Sequence, residues 1–153
     1  MKIRLAESND IPQICGLYHE FFIYNSIQQP QYYKKGIEKG SYPKNVIENN
    51  SEDIFVAIES NVIIGFMHIT EESTPPYDCF VKHRYANIIE LFVTKNHRNK
   101  GVGGLLIESA KLWAKARELD YIELNVLVEN ENGIQFYSHK EFKAVSQVMR
   151  YTL

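Results

Sequence analysis

Two cations and three glycines stand together in Arg98-Asn99-Lys100-Gly101-Val102-Gly103-Gly104. Before them, Ile88 to Val93 is an apolar run of strand character ending at Thr94, and after them Leu105 opens a segment of helical period. The backbone therefore reads strand, polar turn, helix N-terminus. The first turn of a helix has N–H groups with no partner inside the helix, and the macrodipole adds roughly half a positive charge at that end. Glycines at 101, 103 and 104 remove side chains that would hold an anion away, while Arg98 and Lys100 add full charge. A diphosphate fits this description.

Spacing sets aside two other phosphate loops. A P-loop needs Gly-Lys followed by Ser or Thr, whereas here Lys100 precedes its glycine and Val102 follows it. A dinucleotide loop needs a third glycine where the chain has Leu106.

Glu90 is the second candidate. It is a carboxylate in an otherwise apolar strand, and simple alternation puts Ile88, Glu90, Phe92 and Thr94 on one face and Ile89, Leu91 and Val93 on the other. Partial burial raises the proton affinity of a carboxylate, which suits a general base acting on an ammonium substrate near neutral pH; a solvated surface position is the competing reading.

These residues need a scaffold, and the chain supplies the pattern of one. Lys2 to Ala6 reads as a short strand; Ser8-Asn9-Asp10 offers N-caps, Asp10 standing three residues ahead of Gln13 with Pro12 in the first turn, for a helix running to about Tyr24 on Ile14, Leu17, Tyr18, Phe21 and Phe22. Asn25 to Asn50 is aromatic-rich and broken by Pro and Gly, predicting one or two short helices. Ile54 to Ile58 and Val62 to Thr70 read as a hairpin around Glu59-Ser60-Asn61, with Gly65 marking a bulge or a close backbone approach and His68 a hydrogen-bonded strand residue. Glu71 to Arg84, with Pro75-Pro76, reads as an exposed loop.

Past the glycines, the pattern predicts a helix with Leu105, Leu106, Ser109, Leu112, Trp113 and Ala116 on its packed stripe, ending near Leu119-Asp120. A strand over Tyr121 to Val128 should lie parallel to the Ile88 strand, because a crossover helix joins them. A short helix over Asn130 to Lys140 and one or two closing strands in Phe142 to Thr152 complete the order β-α-(α)-β-β-β-α-β-α-β, an α/β (α+β) arrangement.

At 153 residues the chain fits a single domain able to bury roughly 70% of its unfolded surface. Net charge of -2 leaves no broad basic surface for nucleic acid. Cys15 and Cys79 lack metal or redox spacing, so no metal site is expected. No apolar run approaches a membrane span, and the N-terminus starts directly in a strand pattern, which gives the expectation of a cytoplasmic protein without membrane partners.

Arg98-x-x-Gly101-x-Gly103 resembles the acetyl-CoA loop of the GNAT (GCN5-related) N-acetyltransferase superfamily, and Leu124-x-Val126-x-x-x-Asn130-x-x-Gly133-x-x-Phe136-Tyr137, followed by Phe142, resembles that family's second block. The two blocks cover about a third of the chain. The resemblance implies a mixed central sheet flanked by about four helices, in which two parallel strands splay after Val93 and Leu127. It implies acetyl-CoA as co-substrate: the pantetheine arm on backbone groups of Leu91, Phe92 and Val93, the pyrophosphate on Arg98, Asn99, Lys100, Gly101, Val102, Gly103 and Gly104, and Asn130 and Tyr137 against the cofactor. Tyr137 matches the family tyrosine beside the thioester sulfur, and a phenol of pKa about 10 can protonate a departing thiolate. A strand N–H near Val93 would stabilise the carbonyl oxygen.

Glu90 as base follows from chemistry, since Asn87 stands where some relatives carry the glutamate. Three departures are visible: Gly133 replaces the usual alanine, Glu141 a glycine and Asn99 a common loop glycine. The expected function is acetyl transfer to a primary amine of a small cationic acceptor, with Glu20, Glu71, Glu72, Asp78 and Glu90 as candidate rim acids. The alternatives are a protein or peptide N-acetyltransferase and an acyl-CoA-binding module without turnover. Many members of the family dimerise, so the resemblance allows a homodimer, but no stretch of the sequence identifies an interface.

Overall fold

The structure, a computed structural model, describes residues 1–153. Five strands form one sheet in sequence order: β1 (Lys2–Leu5), β2 (Glu52–Glu59), β3 (Val62–Ser73), β4 (Arg84–Val93) and β5 (Ile122–Leu124). The first four are antiparallel, and β5 is parallel to β4 across the crossover made by α3 (Val102–Ala116). Helices α1 (Ile11–Gln28) and α2 (Ser41–Ile47) cover one face, and α3 with α4 (Glu131–His139) covers the other. No helix is long and apolar enough to cross a membrane.

The hairpin turn follows from its two residues. Ser60 and Asn61 both take positive φ, 48° and 68°, giving the two-residue turn whose twist matches that of the flanking strands. Gly65 is a close approach: a Cβ there would lie 2.8 Å from the Phe92 carbonyl oxygen, so a side chain would push β3 off β4. The β3–β4 pairing depends on this glycine.

Each sheet face has its own core. Ile14, Leu17 and Tyr18 of α1 and Val46 of α2 pack on Ile54, Val56, Phe66 and Phe92. On the opposite face Val102, Leu106, Ile107, Ala110, Trp113 and Ala114 of α3 pack on Ala57, Met67, Ile69, Ala86 and Ile88. The buried stripe of α3 is thus rotated from the expected one: Leu105 and Leu112 are exposed, and Ile107, Ala110 and Ala114 take the inward positions. Small Ala110 and Ala114 let the helix lie close to the sheet, which a stripe of leucines would not.

The helix before it also differs. Asp10 does not cap α1 with its side chain; its carboxylate accepts from Arg4 Nη1 and Nη2 at 2.6 and 2.9 Å and from the Glu7 N–H at 2.8 Å. A nearby guanidinium outcompetes a cap, and it holds the Asp10 carboxyl below the usual carboxylate range. Gln13 likewise accepts from the Ile63 N–H at 2.9 Å, tying α1 to β3. α1 continues past Tyr24 to Gln28, and β3 runs to Ser73, leaving the loop only residues 74–83.

The closing strands expected in Phe142 to Thr152 are not formed, and the expected strand over Tyr121 to Val128 is only Ile122–Leu124. The β4–β5 ladder ends at Ile88 and Leu124, and β5 is the last strand of the sheet.

Candidate active site

The cleft begins with a bulge. His68 pairs with Glu90 and Ile69 with Ile88, so Ile89 is an extra residue with no partner in β3. Alternation therefore resets: Ile88 joins Leu91 and Val93 on the α3 face, while Phe92 packs in the α1 core and Glu90 meets Tyr18 of α1. The expected common face for Ile88 and Glu90 is corrected by this one inserted residue.

The bulge coincides with the parting of the parallel strands. The β4–β5 ladder ends at Ile88 and Leu124, well before Val93 and Leu127, because a bulged strand bends away from its neighbour. Beyond it, alternate main-chain groups of residues 89–93 face a gap with no strand to bond them. A peptide-like arm could take those bonds.

At the far end of β4 the chain turns through a short 3-10 helix, Lys95–His97, into the glycine loop. Asn99 at φ 59° and Gly101 at φ 84° alternate with ordinary residues in left-handed conformation, and Gly101 is the N-cap of α3 with no side-chain bond. Such alternation turns successive N–H groups inward as an anion nest at the positive end of a 15-residue helix. Asn is the non-glycine residue most at ease there, which accounts for Asn99 in place of glycine. Gly103 serves packing instead, since a Cβ would come within 3.1 Å of the Phe136 ring; this glycine seats α4 against α3. Beside Gly104 lies Lys140, whose Nζ is 3.2 Å from the position a Cβ would take, a cation for the loop that no motif in the sequence marked.

Arg98 is held rather than free. Its Nε donates to the Val93 carbonyl at 2.9 Å, and its guanidinium stacks 4.5 Å over the Tyr24 ring and 5.4 Å from that of Phe92. The arginine thus aligns the end of β4 with the loop, its Nη atoms still available to an anion. Tyr24 in turn donates to Asn130 Oδ1 at 3.1 Å, and the same oxygen caps α4 by accepting from the Gly133 N–H at 3.0 Å. Gly133 gives that cap room, since an alanine Cβ would sit 2.5 Å from Asn130 Nδ2 and the amide would have to shift. Asn130 therefore has its oxygen engaged and its amide nitrogen open.

Glu90 accepts from the Tyr18 hydroxyl at 2.6 Å through Oε2, with His68 Nδ1 at 3.6 Å from the same oxygen. Behind it His68 is hydrogen-bonded to Tyr42 at 2.8 Å and to Glu52 at 2.7 Å. A carboxylate only accepts, so with a neutral ring Nε2 carries the proton and Nδ1 accepts from Tyr42. Burial pushes the Tyr18 and Tyr42 phenols well up, the charge of Glu90 adding to it, so both remain donors. His68 is the hydrogen-bonded strand residue expected of it. Tyr18 and Tyr42 are additions to the site, visible in the sequence only as apolar spacing and as part of an aromatic-rich segment.

Tyr137 packs into the α3-face core between Phe136 and Phe142, ring centroids 5.1 and 5.7 Å away. Burial alone pushes its phenol up to about 12. It lies on the α3 face of the sheet, whereas Glu90 meets Tyr18 on the α1 face. Lys100 is exposed, and Val102 is buried beneath the loop.

The rim acids are not equivalent. Glu71 is paired with Arg84 at 2.6 Å and lies 3.8 Å from Arg117, so it offers no free charge. Glu72 accepts from Tyr85 at 3.1 Å and Asn87 at 2.9 Å on β4. Burial and that bond push the Tyr85 phenol up to about 12. Glu20 borders a shallow hollow with Ile23, Tyr24, Ile27, Phe92, Lys95 and Arg98.

The same arrangement exists in other proteins. Residues 12–142 match the acetyltransferase (GNAT) family model. The chain is 30% identical over 146 residues to an uncharacterised N-acetyltransferase of Methanocaldococcus jannaschii, an alignment covering 92% of this chain and 60% of the length of that relative. Its fold superimposes on the crystal structure of a tetramutant of the BH1408 protein from Bacillus halodurans with a TM-score of 0.94 at 22% identity, over 100% of both chains. It superimposes on an aminoglycoside N-acetyltransferase in complex with CoA with a TM-score of 0.76 at 16% identity over 99% and 98%. Fold, loop and sequence agree: the chain belongs to the GNAT family of acetyltransferases.

Proposed function

We propose that the gap between β4 and β5 binds acetyl-CoA and that the enzyme passes the acetyl group directly to a primary amine of a small, cationic acceptor. The reading rests on one observation, that the left-handed Asn99 and Gly101 at the N-terminus of α3 follow directly on a β4 whose ladder with β5 ends at Ile88 and Leu124. Bound there, the cofactor supplies an activated thioester. The nest and Lys140 hold its diphosphate, with Lys100 and the Nη atoms of Arg98 adding charge. Main-chain groups of Leu91, Phe92 and Val93 bond its amide arm, and Asn130 offers its open Nδ2.

Glu90 takes one proton from the acceptor ammonium, freeing the nitrogen lone pair; a C–N bond forms as the C–S bond breaks, and the second proton leaves the nitrogen to solvent, from which the Tyr137 phenol is restored. Tyr137 gives its proton to the leaving sulfur. Glu90, on β4 past the end of the β4–β5 ladder, favours a cationic acceptor, and the related fold of an aminoglycoside N-acetyltransferase is consistent with that.

The experiment is thiol release from acetyl-CoA with a panel of polyamines, aminoglycosides, amino acids and peptides. Turnover with a small polyamine or aminoglycoside supports the reading. Turnover confined to peptides replaces the acceptor, and cofactor binding without any release leaves a binding module.

A further inference from the structure

Beyond Ile88 and Leu124 the two sides of the gap share no main-chain bond: residues 125–130, which lead from β5 into α4, bond neither to β4 nor to the glycine loop. The C-terminal end of α1 joins them instead. Toward β4, the Tyr24 ring packs on Phe92, ring centroids 6.4 Å apart, and carries the Arg98 guanidinium at 4.5 Å. Toward α4, the Tyr24 hydroxyl donates to Asn130 Oδ1 at 3.1 Å, and Gln29 Nε2, at the C-cap of α1, donates to Glu129 Oε2 at 2.7 Å. No other side-chain hydrogen bond from another element reaches residues 125–139.

The two bonds differ in what they can transmit. The Gln29–Glu129 bond is exposed and joins two long side chains, so water replaces it at little cost. The Tyr24–Asn130 bond is partly buried, and its donor sits on a rigid ring that cannot turn without disturbing the guanidinium lying on it. That guanidinium is pinned at Nε by the Val93 carbonyl, and its Nη atoms are left for an anion. A diphosphate held by the nest would fix the guanidinium plane through them. The plane fixes the Tyr24 ring, the ring's hydroxyl fixes Asn130 Oδ1, and that same oxygen caps α4 through the Gly133 N–H at 3.0 Å. Tyr137 stands on the helix so capped.

We propose that Tyr24 is a positioning residue, a clasp across the gap that brings the N-terminus of α4, and with it Tyr137, into working place once the donor's diphosphate holds Arg98. The inference rests on the acyl-transfer reading and adds an order to it: the donor is seated first and the acid is aligned second. A thioester lacking the diphosphate, such as S-acetylpantetheine, then loses in turnover as well as in affinity, because binding energy at the loop is used to arrange the reacting end.

Tyr24→Phe is the test, since it keeps the ring under Arg98 and deletes only the hydroxyl bond to Asn130. Amide exchange with and without saturating coenzyme A reads the linkage without any acceptor amine. Coenzyme A should slow exchange of residues 131–137 at least about fivefold in the wild type and less than about twofold in Tyr24→Phe, although both bind it. In turnover with an active amine, the variant should lose about tenfold in kcat with acetyl-CoA and less than about twofold with S-acetylpantetheine. Equal slowing of exchange in the two proteins, or equal loss of kcat with the two donors, would make Tyr24 a packing residue and overturn the proposal. A wild type that binds coenzyme A with no change in α4 overturns it too and leaves the acyl-transfer reading standing; a wild type that binds no coenzyme A removes that reading and the clasp with it.

Discussion

The Tyr18 hydroxyl donates to Glu90 Oε2 at 2.6 Å, from the middle of α1 to a strand position that the Ile89 bulge has turned away from the α3 core. That bond fixes one carboxylate oxygen and leaves Oε1 without a protein partner. Glu90→Gln keeps the shape and removes the base. Turnover should fall at least about tenfold with the KM for acetyl-CoA within about twofold, because only the proton transfer is lost. Tyr18→Phe should lower stability by about 1–2 kcal/mol in urea unfolding, since it strips a half-buried carboxylate of its donor.

Tyr137 gives the second expectation. Its phenol, pushed up to about 12 by burial, keeps its proton through the whole working range. The acid form is the useful one, and raising its pKa extends that form upward in pH. The kcat profile of the wild type should therefore show no loss from this group up to about pH 10. Tyr137→Phe should lower kcat at least about tenfold at every pH while the coenzyme A dissociation constant stays within about twofold. Equal losses in both would identify a packing residue.

How much of this is legible in the sequence depends on distance along the chain. The glycine loop, the hairpin and the helix over Glu131–His139 are local, written in residues a few positions apart, and they form where the pattern puts them. The bulge at Ile89 is not legible, because nothing in Ile88-Ile89-Glu90 says which isoleucine the partner strand will skip. Gly103 and Gly133 look like parts of a phosphate motif and a helix; their constraints come from Phe136 and Asn130, across a helix contact and within a cap. The Tyr24–Asn130 bond joins residues 106 positions apart. Residues 143–153 depart from their pattern because strand composition alone does not make a strand; pairing along a sheet edge does, and these residues pair with none.

Glu141 is a small defect with a direct remedy. It takes φ 68° in the turn that closes α4, where its N–H donates to the Ser138 carbonyl at 3.0 Å. A β-carbon in that conformation costs about 1–2 kcal/mol, part of which glycine returns as entropy in the unfolded chain. Glu141→Gly should raise the melting temperature by a few degrees, corresponding to roughly 0.5–1 kcal/mol, and a lower melting temperature would contradict the turn as described.

Arg4 and Asp10 give a pH dependence of stability whose sign is fixed. The guanidinium holds the folded-state carboxyl below its unfolded value, so its contribution is complete above the ordinary aspartate range near pH 4 and is lost as pH falls through the depressed native value. Asp10→Asn should thus be less stable than the wild type by about 2 kcal/mol at pH 7. The gap should narrow steadily below about pH 4. A gap independent of pH would mean that packing, not charge, is what Asp10 supplies.

The central claim is that main-chain donors from Asn99 to Gly104 grip a diphosphate and so seat the acetyl donor between β4 and β5. Calorimetric titration of coenzyme A into the folded protein measures this most directly. The account predicts a one-to-one isotherm with a dissociation constant roughly in the micromolar range, weakened at least about tenfold by Gly101→Asp, which sets a carboxylate against the diphosphate. An absence of binding heat at several temperatures, or unchanged affinity in Gly101→Asp, would contradict it.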